Sequence, residues 1–136
     1  MTPHFTLAEL TATSHRQFDN TPNDIETANL QRLAEFLEQV KTVLGGKPVM
    51  VNSAFRSKAV NDSVGSKDTS QHRTGCAADI RVPGMTPDQV VKVIVAAGLP
   101  YDQLICEFDA WTHVSIADKP RHQVLIIDRA GTRIFA

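Results

Sequence analysis

The fold is decided by the C-terminal stretch QLICEFDAWTHVSIADKPRHQVLIIDRAGTRIF, residues 103–135. Apolar and β-branched residues cluster there in short runs separated by polar or glycine-containing segments, a pattern typical of strands. We therefore predict strands at residues 103–108, 112–116, 123–127 and 132–135. The segment DRAG, at residues 128–131, predicts a hairpin turn between the last two strands. The C-terminal part of the chain is thus expected to form a sheet.

One long helix is predicted upstream from the spacing of apolar residues. Pro22 and Asn23 are typical of a helix start, whereas Gly45 and Gly46 are typical of a helix end. Between them apolar residues recur at steps of three and four, as one buried helix face requires. The predicted buried face contains Ile25, Ala28, Leu30, Leu33, Phe36, Leu37, Val40 and Leu44.

Shorter elements complete the predicted fold. They are a helix near residues 7–10, a strand at 48–54, a helix capped by Ser57 that reaches about residue 64, a polar loop at 65–75 and a buried strand at 77–82. Thr86, Pro87 and Gln89 form a helix-opening pattern, and Gly98 ends that helix. The expected fold class is α+β, a small, mostly antiparallel sheet with flanking helices, in a single domain over residues 1–136.

The composition is that of an ordinary soluble domain. The 136 residues are 42% hydrophobic and 21% charged, with a formal net charge of −1. This balance gives no general attraction to nucleic acid or to a membrane surface, so we expect neither as a partner. The opening MTPHFTLAEL lacks the basic start and apolar run of a signal peptide. We therefore expect a protein that is made in the cytoplasm and needs another protein for any export. We also expect it to be a monomer.

Candidate metal ligands lie in SQHRTGCAAD, residues 70–79. His72 on a loop and Asp79 on the next strand can converge on one zinc ion if the chain turns back between them, and Gly75 permits that turn. His113, an imidazole in an apolar, strand-like run, offers a third ligand. Two histidines and one carboxylate form a catalytic zinc set. Taken singly, each residue also fits a structural role, such as a turn-capping aspartate or a satisfied core histidine.

The two cysteines, Cys76 and Cys106, are expected to be free thiols because a cytosolic origin disfavours disulfides. Cys76 lies among the candidate ligands, so a fourth-ligand role for it stays open. A small, half-apolar side chain of this kind more often packs in the protein interior.

The segment at residues 70–79 resembles the signature Ser-x-His-x-x-Gly-x-Ala-x-Asp of the zinc D-Ala-D-Ala carboxypeptidase family of peptidoglycan peptidases. That family includes phage endolysins that cut the L-Ala-D-Glu bond. The signature runs without a mismatch, and Trp-Thr-His follows at residues 111–113. SAFRS, at residues 53–57, is similar to the family's Ser-Gly-Tyr/Phe-Arg-Ser segment, with Ala54 in place of glycine. Further likeness to the compact, phage-associated branch lies at residues 5–10, 20–22 and 104–108.

The resemblance implies one zinc ion held by His72, Asp79 and His113. It also implies that Arg56 holds a substrate carboxylate or polarises the scissile carbonyl, tasks that suit a guanidinium. Three further residues are expected to contact the substrate or to support the site: Ser70, Gln71 and Trp111. For Trp111, a place in the core is an equal alternative.

Two carboxylates are candidates for the general base. Many relatives carry the base three residues before the last ligand, and Ala110 occupies that position here. Glu107 is the first candidate and Asp109 the second. Glu107 also fits a simple surface carboxylate on a strand.

The activity implied by the resemblance is hydrolysis of an amide bond in the peptidoglycan stem peptide, either D-Ala-D-Ala or L-Ala-D-Glu. The implied biological role is a phage or prophage lysis protein that needs holin-type release or acts as a phage component. Two other classes stay open. The scaffold also resembles the zinc-containing part of hedgehog signalling domains, which favours a binding module that keeps zinc without catalysis. The other class is a phage structural protein without zinc.

Overall fold

The computed structural model describes residues 1–135. Within them the chain forms four α-helices, one 3-10 helix and six strands. The helices are α1 (Leu7–Leu10), α2 (Asp24–Val43), α3 (Lys58–Ser63) and α4 (Pro87–Ala96), with the 3-10 helix at Gln71–Thr74. The strands are β1 (Met50–Ser53), β2 (Ala77–Arg81), β3 (Gln103–Glu107), β4 (Trp111–Ser115), β5 (Gln123–Asp128) and β6 (Gly131–Ile134). The predicted α+β class is confirmed.

The six strands form one sheet in the order β1-β2-β4-β3-β5-β6. All neighbours are antiparallel except β3 and β5, which run parallel. Because β4 ends beside the start of β3, the short connection at residues 116–122 reaches the far side of β3 at the same end of the sheet. The next strand, β5, therefore runs parallel to β3, and the hairpin of β5 and β6 closes the sheet as predicted.

The long helix α2 begins where the sequence predicts. The Asn23 side chain accepts from the Glu26 backbone at 2.8 Å, and the Glu26 carboxylate accepts from the Asn23 backbone at 2.9 Å. This reciprocal pair satisfies two of the free N–H groups at the helix start. The predicted burial of Ile25 and Ala28 is wrong, since both are exposed, Ile25 by 75%. At about 100° per residue, Ile25 lies about 140° around the helix from the buried Leu30.

The core lies between the helices and one face of the sheet. Buried residues of α2 and α4 share one apolar cluster with alternate residues of the strands, among them Ile80, Leu104 and Val114. Side chains alternate between the two faces of a strand. The residue next to each of these along its strand therefore projects from the opposite face. That face carries Asp79, Ile105 and His113. None of the described helices is long and apolar enough to cross a membrane.

Candidate metal centre

Asp79 and His113 face each other across two adjacent strands. They are direct partners in the antiparallel pair of β2 and β4, so their side chains project from the same sheet face. The Asp79 Oδ1 and His113 Nδ1 atoms are 3.1 Å apart. Both residues are buried, with 7% and 8% of their surface exposed. Sheet register thus brings together two residues that are 34 positions apart in the sequence.

His72 reaches the same point from the 3-10 helix Gln71–Thr74. The predicted loop at residues 65–75 is wrong there, because the Ser70 hydroxyl caps this short helix by accepting from the His72 backbone. The helix ends at Gly75, whose backbone has a φ of +82°. A Cβ at Gly75 would lie 2.9 Å from the carbonyl oxygen of Glu26. Glycine therefore serves both the turn and the close approach of α2.

A hydrogen bond fixes which nitrogen of His72 is free. The Nδ1 atom lies 2.7 Å from the carbonyl oxygen of Ala54. A carbonyl only accepts, so Nδ1 carries the proton and donates it. In the neutral ring Nε2 then carries a lone pair, and it points at Asp79 Oδ1 from 3.3 Å. Such support from a carbonyl is the usual way in which a metal-binding histidine is oriented.

The three side chains form a group that can hold a metal ion. One ligand atom from each of His72, Asp79 and His113 lies within 4.8 Å of the others, and all three residues are buried. Ligand atoms about 2.1 Å from a tetrahedral zinc lie about 3.4 Å from each other, close to the 3.1 and 3.3 Å seen here. A lone pair on His72 facing a carboxylate oxygen needs a cation or a proton between them, so the donor set fits zinc.

The charge state of Asp79 also suits a ligand. Burial by itself opposes ionisation of this carboxyl group. The polar contacts with the rings of His113 and His72 outweigh burial and hold the pKa of Asp79 well below its usual range. The carboxylate is therefore ionised at neutral pH, as metal binding requires.

Arg56 lies on the other side of Asp79. Its Nη2 atom is 3.4 Å from Asp79 Oδ2, and its Nε donates to the Ser53 hydroxyl at 3.2 Å. The Arg56 backbone N–H also donates to the His72 carbonyl at 2.9 Å. The structure thus places the predicted substrate-binding arginine beside the metal group, with part of its guanidinium already bonded within the protein.

The two candidate bases lie in different places in the structure. Glu107 Oε1 lies 3.9 Å from His113 Nδ1, and burial together with the negative charge of Asp79 raises the pKa of Glu107. Asp109 is exposed in the turn after β3, where it and Phe108 have φ values of +53° and +54°. Asp109 lines a different cleft, which it shares with Cys106 and which has a volume of about 760 Å³. Of the two candidates, Glu107 is thus the carboxylate that lies beside the metal-binding group.

The remaining candidate residues have varied positions. Trp111 is half-buried and pairs with Glu107 across β3 and β4, so it stands beside the site. The Gln71 amide donates to Asp102 at 2.9 Å and to the Ile116 carbonyl at 3.3 Å, so its N–H groups are used within the protein. Contact of Gln71 with substrate, as for Ser70, stays a prediction. Cys76 and Cys106 are free, and Cys76 is not a member of the metal-binding group.

His72 from the 3-10 helix meets Asp79 and His113 on the sheet face, and Glu107 lies beside them. Two histidines and one carboxylate are the ligand set of a catalytic zinc site. The sequence model of the family described as Peptidase M15 matches residues 3–115, and the chain belongs to that family. Members of the family are zinc-dependent and act on peptidoglycan peptides. The protein is therefore a zinc metallopeptidase. A comparison with curated proteins finds no match.

Proposed function

We propose that this enzyme hydrolyses an amide bond in the stem peptide of peptidoglycan. The observation that carries the proposal is the buried group of His72, Asp79 and His113 with Glu107 beside it. The family's action on peptidoglycan peptides supports the substrate class. In this proposal the protein is made in the cytoplasm and reaches the wall after holin-type release or as a phage component.

The three buried side chains would hold one zinc ion, His72 through Nε2, Asp79 through a carboxylate oxygen and His113 through Nδ1. When bound, zinc supplies Lewis-acid polarisation of the scissile carbonyl and lowers the pKa of a water to about 7. The chain's own contribution is to orient the imidazoles and to keep Asp79 ionised. The Ala54 carbonyl orients His72 by accepting from Nδ1, which turns Nε2 toward Asp79.

Glu107 moves the proton in this proposal. The pKa of Glu107 is raised toward neutral pH. A general base works best when its pKa lies near the pH at which the enzyme operates. The carboxylate removes a proton from the attacking water and then delivers it to the leaving amine. Arg56 stands on the opposite side of Asp79 and stabilises the negative charge that develops on the carbonyl oxygen.

A row of apolar residues on the sheet face beside the metal group supports cleavage within a peptide. His113 pairs with Ile105, Ile105 with Leu125, and Leu125 with Ile134, so these apolar side chains form one row across the face. With strands about 4.8 Å apart, the row extends about 14 Å from His113. Ile134 at its end is 80% exposed. The row offers a floor for substrate residues beyond the scissile bond.

Arg56 keeps donors for the reacting carbonyl. Its Nε and Nη2 atoms bond Ser53 and Asp79, and the other N–H groups of the guanidinium remain for the substrate. On the evidence of the apolar row, we favour the L-Ala-D-Glu endopeptidase over the D-Ala-D-Ala carboxypeptidase.

Digestion of purified peptidoglycan, with and without a metal chelator, tests the proposal. The expected products are new L-Ala C-termini and new D-Glu N-termini, read by mass spectrometry, and the chelator abolishes them. The Glu107→Gln variant, which keeps the ligands, is the matched control and should release neither end. Release of D-Ala alone would make the protein a carboxypeptidase. No cleavage by zinc-loaded protein, on walls that a control enzyme digests, would favour a zinc-retaining binding module.

A further inference from the structure

Asp102 is a buried carboxylate outside the metal group, and its oxygens accept from two different residues. It lies directly before β3 and is 1% exposed. Its Oδ1 accepts from the Arg121 backbone at 2.8 Å and from Arg121 Nε at 3.1 Å. Its Oδ2 accepts from Arg121 Nη2 at 2.7 Å and from Gln71 Nε2 at 2.9 Å. A buried carboxylate that is satisfied in this way is rigidly held.

The backbone of Asp102 joins the two neighbouring strands at the same point. Its N–H donates to the Ser115 carbonyl at 2.8 Å, and its carbonyl accepts from the Gln123 N–H at 2.9 Å. Ser115 is two residues beyond His113 on β4. Asp102 is therefore fixed to the strand that carries one candidate ligand.

The side chain of Asp102 reaches the segment that carries another ligand. Gln71 directly precedes His72 in the 3-10 helix, and its amide also donates to the Ile116 carbonyl at 3.3 Å. The side chain of Arg121 is 55% exposed and neutralises the carboxylate from the solvent side. On the inner side, the Asp102 carboxylate therefore contacts the 3-10 helix through the Gln71 amide.

We propose that Asp102 is a positioning residue of the metal centre, which through Gln71 holds the 3-10 helix so that His72 Nε2 faces Asp79 and His113. This inference rests on the proposed metal centre and adds a residue to its support. A helix of four residues has few internal hydrogen bonds, so contacts to the rest of the protein set its orientation. Loss of the contact between Asp102 and Gln71 would let His72 shift from the ligand position without unfolding the sheet.

An exchange of the two side chains tests the proposal. Gln71→Glu places two carboxylates together in a buried position, and Asp102→Asn removes the charge and replaces one of the two acceptor oxygens by an NH2 donor. The double variant Gln71→Glu with Asp102→Asn restores one amide and one carboxylate. Gln71→Leu removes the amide, and with it the contacts to Asp102 and to the Ile116 carbonyl, without adding a charge, and serves if a charged variant fails to fold. The matched control is Asp128→Asn, which breaks the 2.8 Å pair with Arg133 in the β5–β6 hairpin at one edge of the sheet.

The readouts are the zinc dissociation constant, from competition with a chelator, and the visible spectrum of the cobalt-substituted protein. Supporting residues of metal sites typically change affinity by about 10- to 100-fold. We expect weakening in this range, with an altered cobalt spectrum, for Gln71→Glu and Gln71→Leu. We expect substantial recovery in the double variant and no change for Asp128→Asn.

The outcomes separate the two proposals. If the wild-type protein binds no zinc, the metal centre itself is wrong. If wild type binds zinc and the Gln71 variants bind it equally well with an unchanged cobalt spectrum, only the positioning role is wrong. A rise in KM at unchanged zinc affinity would instead assign Gln71 to substrate binding and would overturn the positioning role.

Discussion

Replacement of Gly75 by alanine should destabilise the protein and weaken its metal site together. An L-residue in the left-handed conformation, with a φ of +82°, costs about 1–2 kcal/mol. The new Cβ would also lie 2.9 Å from the Glu26 carbonyl oxygen and 3.1 Å from Leu30 Cγ. Overpacking of this kind adds about 1–3 kcal/mol. We therefore expect a total loss of about 2–5 kcal/mol for Gly75→Ala.

Gly46→Ala isolates the steric part of that loss. Gly46 has a φ of +81°, and a Cβ there would meet nothing within 4 Å. The conformational costs of the two variants thus cancel, and the difference between them, about 1–3 kcal/mol, measures the contact with α2. Urea unfolding gives both free energies, and a chelator competition gives zinc affinity. Equal losses of stability, or unchanged zinc affinity in Gly75→Ala, would refute the tight fit of α2 against the turn after His72.

Three further predictions concern the site and its support. His113→Ala should lose both zinc and activity, measured by metal content and peptidoglycan digestion; an active, zinc-loaded variant would rule out His113 as a ligand. Glu107→Gln should keep zinc and lose activity by about 10²- to 10⁴-fold, whereas Asp109→Asn should change little; the reverse result would make Asp109 the base. Hydrogen bonds from Arg121 lower the pKa of Asp102 from 3.8 to about 2. The folded-state pKa is depressed, so this pair stabilises the fold above about pH 4 and loses that contribution as pH falls to about 2. Urea unfolding from pH 6 to pH 2 should therefore show a smaller acid loss in Arg121→Gln than in wild type, and parallel curves would contradict the assignment.

The elements that local chemistry determines were predictable from the sequence. Caps at Asn23, Ser57 and Thr86 set helix starts, and each accepts a backbone hydrogen bond as the pattern predicts. The strands also follow from short apolar runs. The burial of Ile25 was mispredicted because apolar character alone does not show where a helix face turns away from the core.

The metal group was predictable in composition but not in geometry. His72 and Asp79 lie in one recognisable segment, but their meeting with His113 depends on the register of β2 and β4, which no local pattern fixes. Asp102 and Arg121 were missed because their pairing comes from the packing of segments 19 positions apart. A charged residue placed before an apolar strand gave no signal of its own.

Anomalous diffraction at the zinc edge, from crystals of protein purified with zinc, tests the central claim most directly. We predict one strong peak about 2.0–2.2 Å from His72 Nε2, an Asp79 carboxylate oxygen and His113 Nδ1. The same experiment on His113→Ala crystals should show that peak lost or much reduced. No peak among the three side chains of the wild-type protein, or a peak on other residues, would contradict the account.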